Sequence, residues 1–135
     1  KVIRKFESKE WIPIVLESTE YSQRDLSALF KIAHFCLITS LHDSMNLVAK
    51  EYVAMRNDSL GVLILSQFAG ASRHLKEALI VNPHNTEEIG TAIFTALSMP
   101  ISEQYRRMNI MRTIIKDYNV YRWAAEFIKS VTSLN

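Results

Sequence analysis

The sequence predicts an α/β fold: a Rossmann-like parallel sheet of about four short strands with covering helices, followed by an all-helical C-terminal tail. Three observations carry this. Apolar runs too short for helices recur at residues 12–16, 34–38, 62–65 and 78–81. Polar or helix-patterned stretches separate them, as parallel pairing requires. Beyond Asn82 and Pro83 the apolar spacing changes to a helical period and stays so to the end.

Each element has a local reason. Residues 12–16 read as a strand despite Pro13, whose missing N–H is tolerable at an edge or first position. Ser22 is placed to cap a helix over residues 23–32, with Leu26, Leu29, Phe30 and Ala33 on one face. Residues 34–38 are the second strand, and a helix opens at Leu47 and runs to about Asn57. Asn57, Asp58 and Ser59 form a turn before the third strand at 62–65. Residues 66–71 leave that strand as a loop, a short helix follows around 72–75, and 78–81 is the fourth strand. In the tail, Asn85 with Glu88 three residues on has the capping-box pattern for a helix to Ser98. Ser102 opens another helix after Pro100, over residues 103–117, with Tyr105, Met108, Met111 and Ile115 inward. A last helix over 121–131 carries Trp123, Phe127 and Ile128, and this Met and aromatic stripe reads as core.

Composition narrows the function. The 135 residues, 48% hydrophobic and 22% charged, suit one globular domain over 1–135. The net charge of +2 comes from scattered bases such as Arg106, Arg107, Arg112 and Lys116 among acidic neighbours, which argues against nucleic acid as partner. Cys36 has no second cysteine to pair with and lies in an apolar strand, an inert thiol consistent with a reducing cytoplasm. No signal peptide and no apolar stretch long enough to span a bilayer is visible, so neither export nor a membrane is expected. The start at Lys1 rather than Met reads as a piece of something longer.

The most informative stretch is residues 41–52, LHDSMNLVAKEY. It joins a polar turn at a strand's carboxyl end to a helix start, the place where open α/β sheets receive nucleotide phosphates. The first amides of the helix at Leu47 carry the positive end of its dipole and suit a pyrophosphate without a lysine. Asp43 stands where a carboxylate can accept from sugar hydroxyls, and Glu51, four residues past Leu47, can hold ribose hydroxyls. Asp43 reads equally as a helix cap and Glu51 as a solvated helix residue. Ser66, Gln67 and the Gly70 backbone are secondary candidates on the next loop, with a tight turn as the other role for Gly70. His42 has no second ligand at metal spacing and reads as a rim residue, so no metal is expected.

The blocks LHDSMNLVAKEYVAMR, GVLILSQFAGA and ALIVNP, in this order, resemble the C-terminal half of the donor domain of trehalose-6-phosphate synthases, retaining glycosyltransferases of the two-domain GT-B type. The resemblance runs from about Trp11 to the end. It implies that Asp43, Ser44, Met45 and Asn46 contact the glucosyl hydroxyls, partly through backbone amides, that Leu47 and Val48 give amides to the diphosphate, and that Glu51 binds the ribose. It implies glucose transfer from UDP-glucose or another nucleotide-glucose to glucose 6-phosphate with no cofactor. The sugar-phosphate acceptor is bound by an N-terminal domain absent from these residues, and the chain alone is inactive. A glucosylglycerol-phosphate synthase or a non-catalytic binding or regulatory module are the alternatives. The family usually reads Leu-Arg-Asp-Gly-Met-Asn where this chain has His42 and Ser44, and a Cβ in place of glycine is expected to alter donor geometry if that backbone approaches the sugar or needs a positive φ. An incomplete GT-B C-terminal domain of four strands leaves its sheet unfinished, so self-association or a partner chain is expected, unless residues 12–16 pair directly with 35–38.

Overall fold

The structure is a computed structural model and describes residues 5–118 and 120–133. Its centre is a parallel sheet of three strands, β1 (Phe35–Ile38), β2 (Val62–Ser66) and β3 (Leu79–Val81), in the order β1-β2-β3. Phe35 pairs with Val62 and Ile38 with Leu65, while Ile64 pairs with Leu79 and Ser66 with Val81. The helices that accompany it are α1 (Gln23–Ile32), α2 (Leu47–Met55), α3 (Thr86–Ser98), α4 (Ile101–Asp117) and α5 (Val120–Thr132). A 3-10 turn over Gly70–Arg73 stands where residues 72–75 were expected to be helical.

The alternation of β2 builds two cores. Leu63 and Leu65 face one side, packed with Tyr52 and Val53 of α2 and Met108 and Met111 of α4. Val62 and Ile64 face the other, with Ala92 and Ala96 of α3 and Met99. All five β2 residues are buried, the continuous apolar run of a strand covered on both faces, and each large side chain there contributes about 1.5–3 kcal/mol. Cover is less complete on β1, where Leu37 is 39% exposed.

The expected first strand is not one. Residues 11–16 are irregular, β1 pairs only with β2 among the described residues, and Val15 and Leu16 are 70% and 86% exposed. An apolar run becomes a strand only when a ladder receives it, and Pro13 removes one of its donors. The option of direct pairing between this run and β1 is therefore not taken up.

The helix caps follow the local sequence closely. Ser22 Oγ accepts from Asp25 N at 3.2 Å, starting α1, though Leu29 is exposed rather than inward. Asn85 Oδ1 accepts from Glu88 N at 3.2 Å, but Glu88 Oε1 accepts from Asn82 N at 3.1 Å, so the reciprocal half of the box reaches back to the strand exit instead. Helix α4 is capped at Pro100, whose carbonyl accepts from Glu103 and Gln104, two residues earlier than Ser102. Tyr105, Phe127 and Ile128 are exposed, contrary to their expected place in the core, while Met108 and Met111 are buried; the side chain of Trp123 lies outside the described residues. A helical period fixes only which residues share a face, and the neighbour that buries the face is set by tertiary packing.

Long-range polar contacts seat α4 on the turn before β2. Gln104 Oε1 accepts from Gly61 N at 2.9 Å, Asn109 Oδ1 from Ser59 Oγ at 2.9 Å, and Arg112 donates to the carbonyls of Val53, Ala54 and Arg56, closing the C-terminus of α2. Gly61 has φ +86°, and a Cβ there would meet Tyr52 Oη at 2.3 Å. Arg106 and Arg107 both hold Glu103, at 2.8 and 2.7 Å, and Arg106 reaches Glu77. These bonds hold the Glu103 carboxyl down at about 2, so the named arginines serve the fold rather than a basic face. Burial pushes the Cys36 thiol up to about 11, which leaves it protonated and unreactive.

Candidate functional site

The site lies where β1 and β2 release their chains at the carboxyl edge of the sheet. Asp43 pairs with Ala69 in a parallel bridge, so the loop after β1 runs beside the loop after β2. Gly70 N donates to Asp43 O and Ala71 N to Met45 O, both at 2.9 Å, and Asp43 N to Phe68 O at 3.4 Å. The contact leaves no room at Gly70: a Cβ there would lie 1.9 Å from the carbonyl oxygen of Ser44. Gly70 is thus required for close approach of the two loops, and its amide is already used. Ser66 is fully buried with its hydroxyl accepting from Phe68 N, and the Gln67 amide donates to Val81 O, so of the secondary candidates only the exposed Gln67 side chain remains available.

Within the first loop, Asp43 is neither a plain cap nor a free carboxylate. Its Oδ1 accepts from Met45 N at 3.2 Å and Asn46 N at 2.9 Å, and its Oδ2 accepts from Asn46 Nδ2 at 2.8 Å. The Asn46 side chain is the first cause holding the Asp43 carboxyl below its ordinary range, followed by the backbone bond from Met45. The cap of α2 is Asn46 itself, whose Oδ1 accepts from Ala49 N at 2.9 Å while its backbone is left-handed, φ 64°. Both Asp43 and Asn46 are cap-type residues three apart, and the sequence alone does not say which takes the position.

The left-handed backbone therefore belongs to Asn46. Ser44 does not share it, so the serine standing where the family has glycine carries no backbone strain. The Met45 and Asn46 amides, expected to face the sugar, are donated to Asp43. Those of Leu47 and Val48 make no hydrogen bond among the described residues, and both residues are exposed at the mouth of α2. They are the first amides of a helix and point out of its N-terminus. Glu51 lies one turn further on, half-buried, with no hydrogen bond or ion pair from its carboxylate among the described residues. Helix α2 buries Ala49, Tyr52 and Val53 on its opposite side, which keeps Leu47, Val48 and Glu51 on the open face. His42 is exposed at the rim. Among the described residues no group of three His, Cys, Asp or Glu side chains is close enough to share a metal ion, and no helix is long and apolar enough to cross a membrane.

The arrangement can bind an anion on two amides at a helix terminus while a carboxylate receives hydroxyls beside it. Comparison with known proteins places the chain in a family. The trehalose-6-phosphate synthase of Klebsiella pneumoniae is 40% identical over 126 residues, which are 93% of this chain and 27% of that protein. The glucosylglycerol-phosphate synthase of Synechocystis is also 40% identical, over 96% of this chain and 26% of its own length. The solved UDP-forming α,α-trehalose-phosphate synthase of Burkholderia xenovorans, in complex with glucose-6-phosphate, superposes with a TM-score of 0.91 at 39% identity, covering 97% of this chain and 29% of that one. The chain thus spans little more than a quarter of the length of these relatives. The model of glycosyltransferase family 20 matches residues 1–133, and with relatives this similar over nearly its whole length the chain belongs to that family.

Proposed function

We propose that this chain is the donor-binding part of a retaining hexosyltransferase that moves glucose from UDP-glucose to glucose 6-phosphate, giving trehalose 6-phosphate. The observation that carries the reading is the pair of amides at Leu47 and Val48 and, beside them, the Glu51 carboxylate, none of which has a hydrogen-bond partner among the described residues. The amides receive the diphosphate and stabilise the charge that grows on it as the glycosidic bond breaks. Glu51 accepts from the ribose hydroxyls. Ser44 offers its amide to the glucosyl group, and Asp43 keeps one lone-pair direction for a sugar hydroxyl after its three internal bonds. With the glucosyl unit fixed this way, the bond from the anomeric carbon to UDP breaks, the acceptor hydroxyl oxygen bonds to that carbon on the same face, and the hydroxyl proton passes to the departing diphosphate. The acceptor site lies in the rest of a family-length protein, so these residues alone bind donor without turnover, and cytoplasmic UDP-glucose is the supply.

Titration of the isotope-labelled chain with UDP-glucose tests this. The backbone amide signals of Leu47 and Val48 shift, and Glu51→Ala weakens binding by about 2 kcal/mol, roughly thirtyfold, through loss of charge-assisted bonds. Unmoved signals at about 10 mM ligand, an affinity too weak to be worth 3 kcal/mol, would defeat the donor reading.

The equal similarity to a glucosylglycerol-phosphate synthase favours a second reading, with glycerol 3-phosphate as acceptor. Product analysis of the family-length protein offered both acceptors separates the two. The open edge of β1 and the exposed run at residues 11–16 are where further strands join, from that same protein or from a second chain. Light scattering that shows this chain strictly monomeric across a wide concentration range removes the second-chain version.

A further inference from the structure

We propose that the outer edge of β3 is a docking strip for an extended peptide segment bearing lysine or arginine, which adds a strand to the sheet beside α3. The strip lies apart from the loop after β1 and does not depend on the donor reading. Among the described residues β3 pairs only with β2, and further strands join at β1, the opposite end of the sheet, so β3 stays an edge. Between it and the flank of α3 runs an open groove of about 560 Å³, floored by residues 78–81 and walled by Glu87, Glu88, Thr91 and Thr95. An added strand lies in that groove, one ladder spacing out from β3.

The bonding row along this edge is short. Val81 O accepts from Gln67 N at 2.9 Å, which turns the N–H and C=O groups of Val81 and Leu79 toward β2. Those of Ala78, Ile80 and Asn82 alternate to the open side. The chain closes both ends of that row itself: Ala78 N donates to Leu75 O at 3.1 Å, Asn82 N donates to Glu88 Oε1 at 3.1 Å, and Asn82 O accepts from Asn85 N at 2.9 Å. The N–H and C=O of Ile80 and the C=O of Ala78 remain, enough to register a short segment and too little for a long edge-to-edge sheet. Charge then says what the segment carries. Glu87 and Glu88 line the groove with no basic residue beside them, and neither makes an ion pair among the described residues. Side chains alternate along a strand, so every second one points at the α3 wall, where a basic stem covers Thr91 and Thr95 and its charge reaches a carboxylate. A second copy of this chain brings two more carboxylates to the same gap and nothing to neutralise them.

Fluorescence anisotropy with the family-length protein tests this, using a dye-labelled, amidated Lys-Val-Lys-Val-Lys peptide and its Glu-Val-Glu-Val-Glu counterpart. The basic peptide is expected to bind with a Kd on the order of 0.1 mM, more weakly as salt is raised, and the acidic one about tenfold more weakly still. Glu87→Lys, a change at an exposed helix position, weakens the basic peptide about fivefold and tightens the acidic one. Methylating the backbone nitrogens of the basic peptide keeps its charge and removes its ladder donors, and affinity falls about tenfold without any change to the protein. The proposal is overturned by no binding of the basic peptide at about 1 mM, by equal binding of the two peptides, by indifference to Glu87→Lys, or by full affinity of the methylated form. A dimer in light scattering that Ile80→Pro abolishes gives the edge to a second copy and overturns it as well, proline being tolerated where an edge N–H faces outward.

Discussion

Arg56→Met lowers the unfolding free energy of the chain by about 3–5 kcal/mol, read as a fall in the urea midpoint at unchanged slope. Arg56 is only 4% exposed, yet it ends α2 and reaches back to the C-terminus of α1. Its Nη1 donates to the carbonyls of Phe30, Lys31 and Ala33, and its Nε to Asp58 at 3.0 Å. The last carbonyls of a helix have no partner inside it, and here a guanidinium fork takes the place of solvent. Methionine fills much of the volume and leaves those carbonyls and Asp58 without their donor. Arg56→Lys should recover less than half, because an ammonium lacks the planar fork that serves several acceptors at once. The ring of Tyr52, 5.9 Å from the guanidinium and edge-to-face with Phe30 at 5.3 Å, ties the same joint to the core. A midpoint for Arg56→Met within error of the starting protein contradicts this account.

The second large effect joins stability to the site. Gly70→Ala sets a methyl 1.9 Å from Ser44 O and 2.8 Å from Ser44 C, atoms of backbone that cannot rotate away. Relief requires the two loops to part, which breaks the bonds from Gly70 N to Asp43 O and from Ala71 N to Met45 O. We expect a loss of about 3 kcal/mol in stability together with at least tenfold weaker binding of UDP, since the loop that carries the α2 cap loses its anchor. The pairing of effects is the informative part. A variant that is destabilised but binds UDP normally means the β2 loop supports the fold and not the site.

Much of this molecule is legible in its sequence. Ser22 and Asn85 cap their helices because each reaches an amide only three residues on, a distance the chain covers within one turn. The runs at β1, β2 and β3 are legible because strands buried by parallel pairing need uninterrupted apolar residues. The run at residues 12–16 has the same look and fails as a strand, since composition shows a wish to be buried but not the partner that grants it. Phe127 and Ile128 repeat the point on a helix.

The candidate site divides along the same line. Asp43, Leu47, Val48 and Glu51 stand out in sequence because a strand exit followed by a helix start is a local pattern, and the family blocks around it are contiguous. That Asn46 rather than Asp43 caps α2, that Met45 has no amide to spare, and that Gly70 is a spacer for Ser44 emerged only when two loops separated by a strand and a helix lay side by side. Arg56 bonds carbonyls 23 to 26 residues away and Arg112 carbonyls 56 to 59 away. Sequence determines what reaches across one turn of chain, because covalent geometry limits those partners to a few. Contacts between distant segments depend on how whole elements pack, and only the tertiary structure decides them.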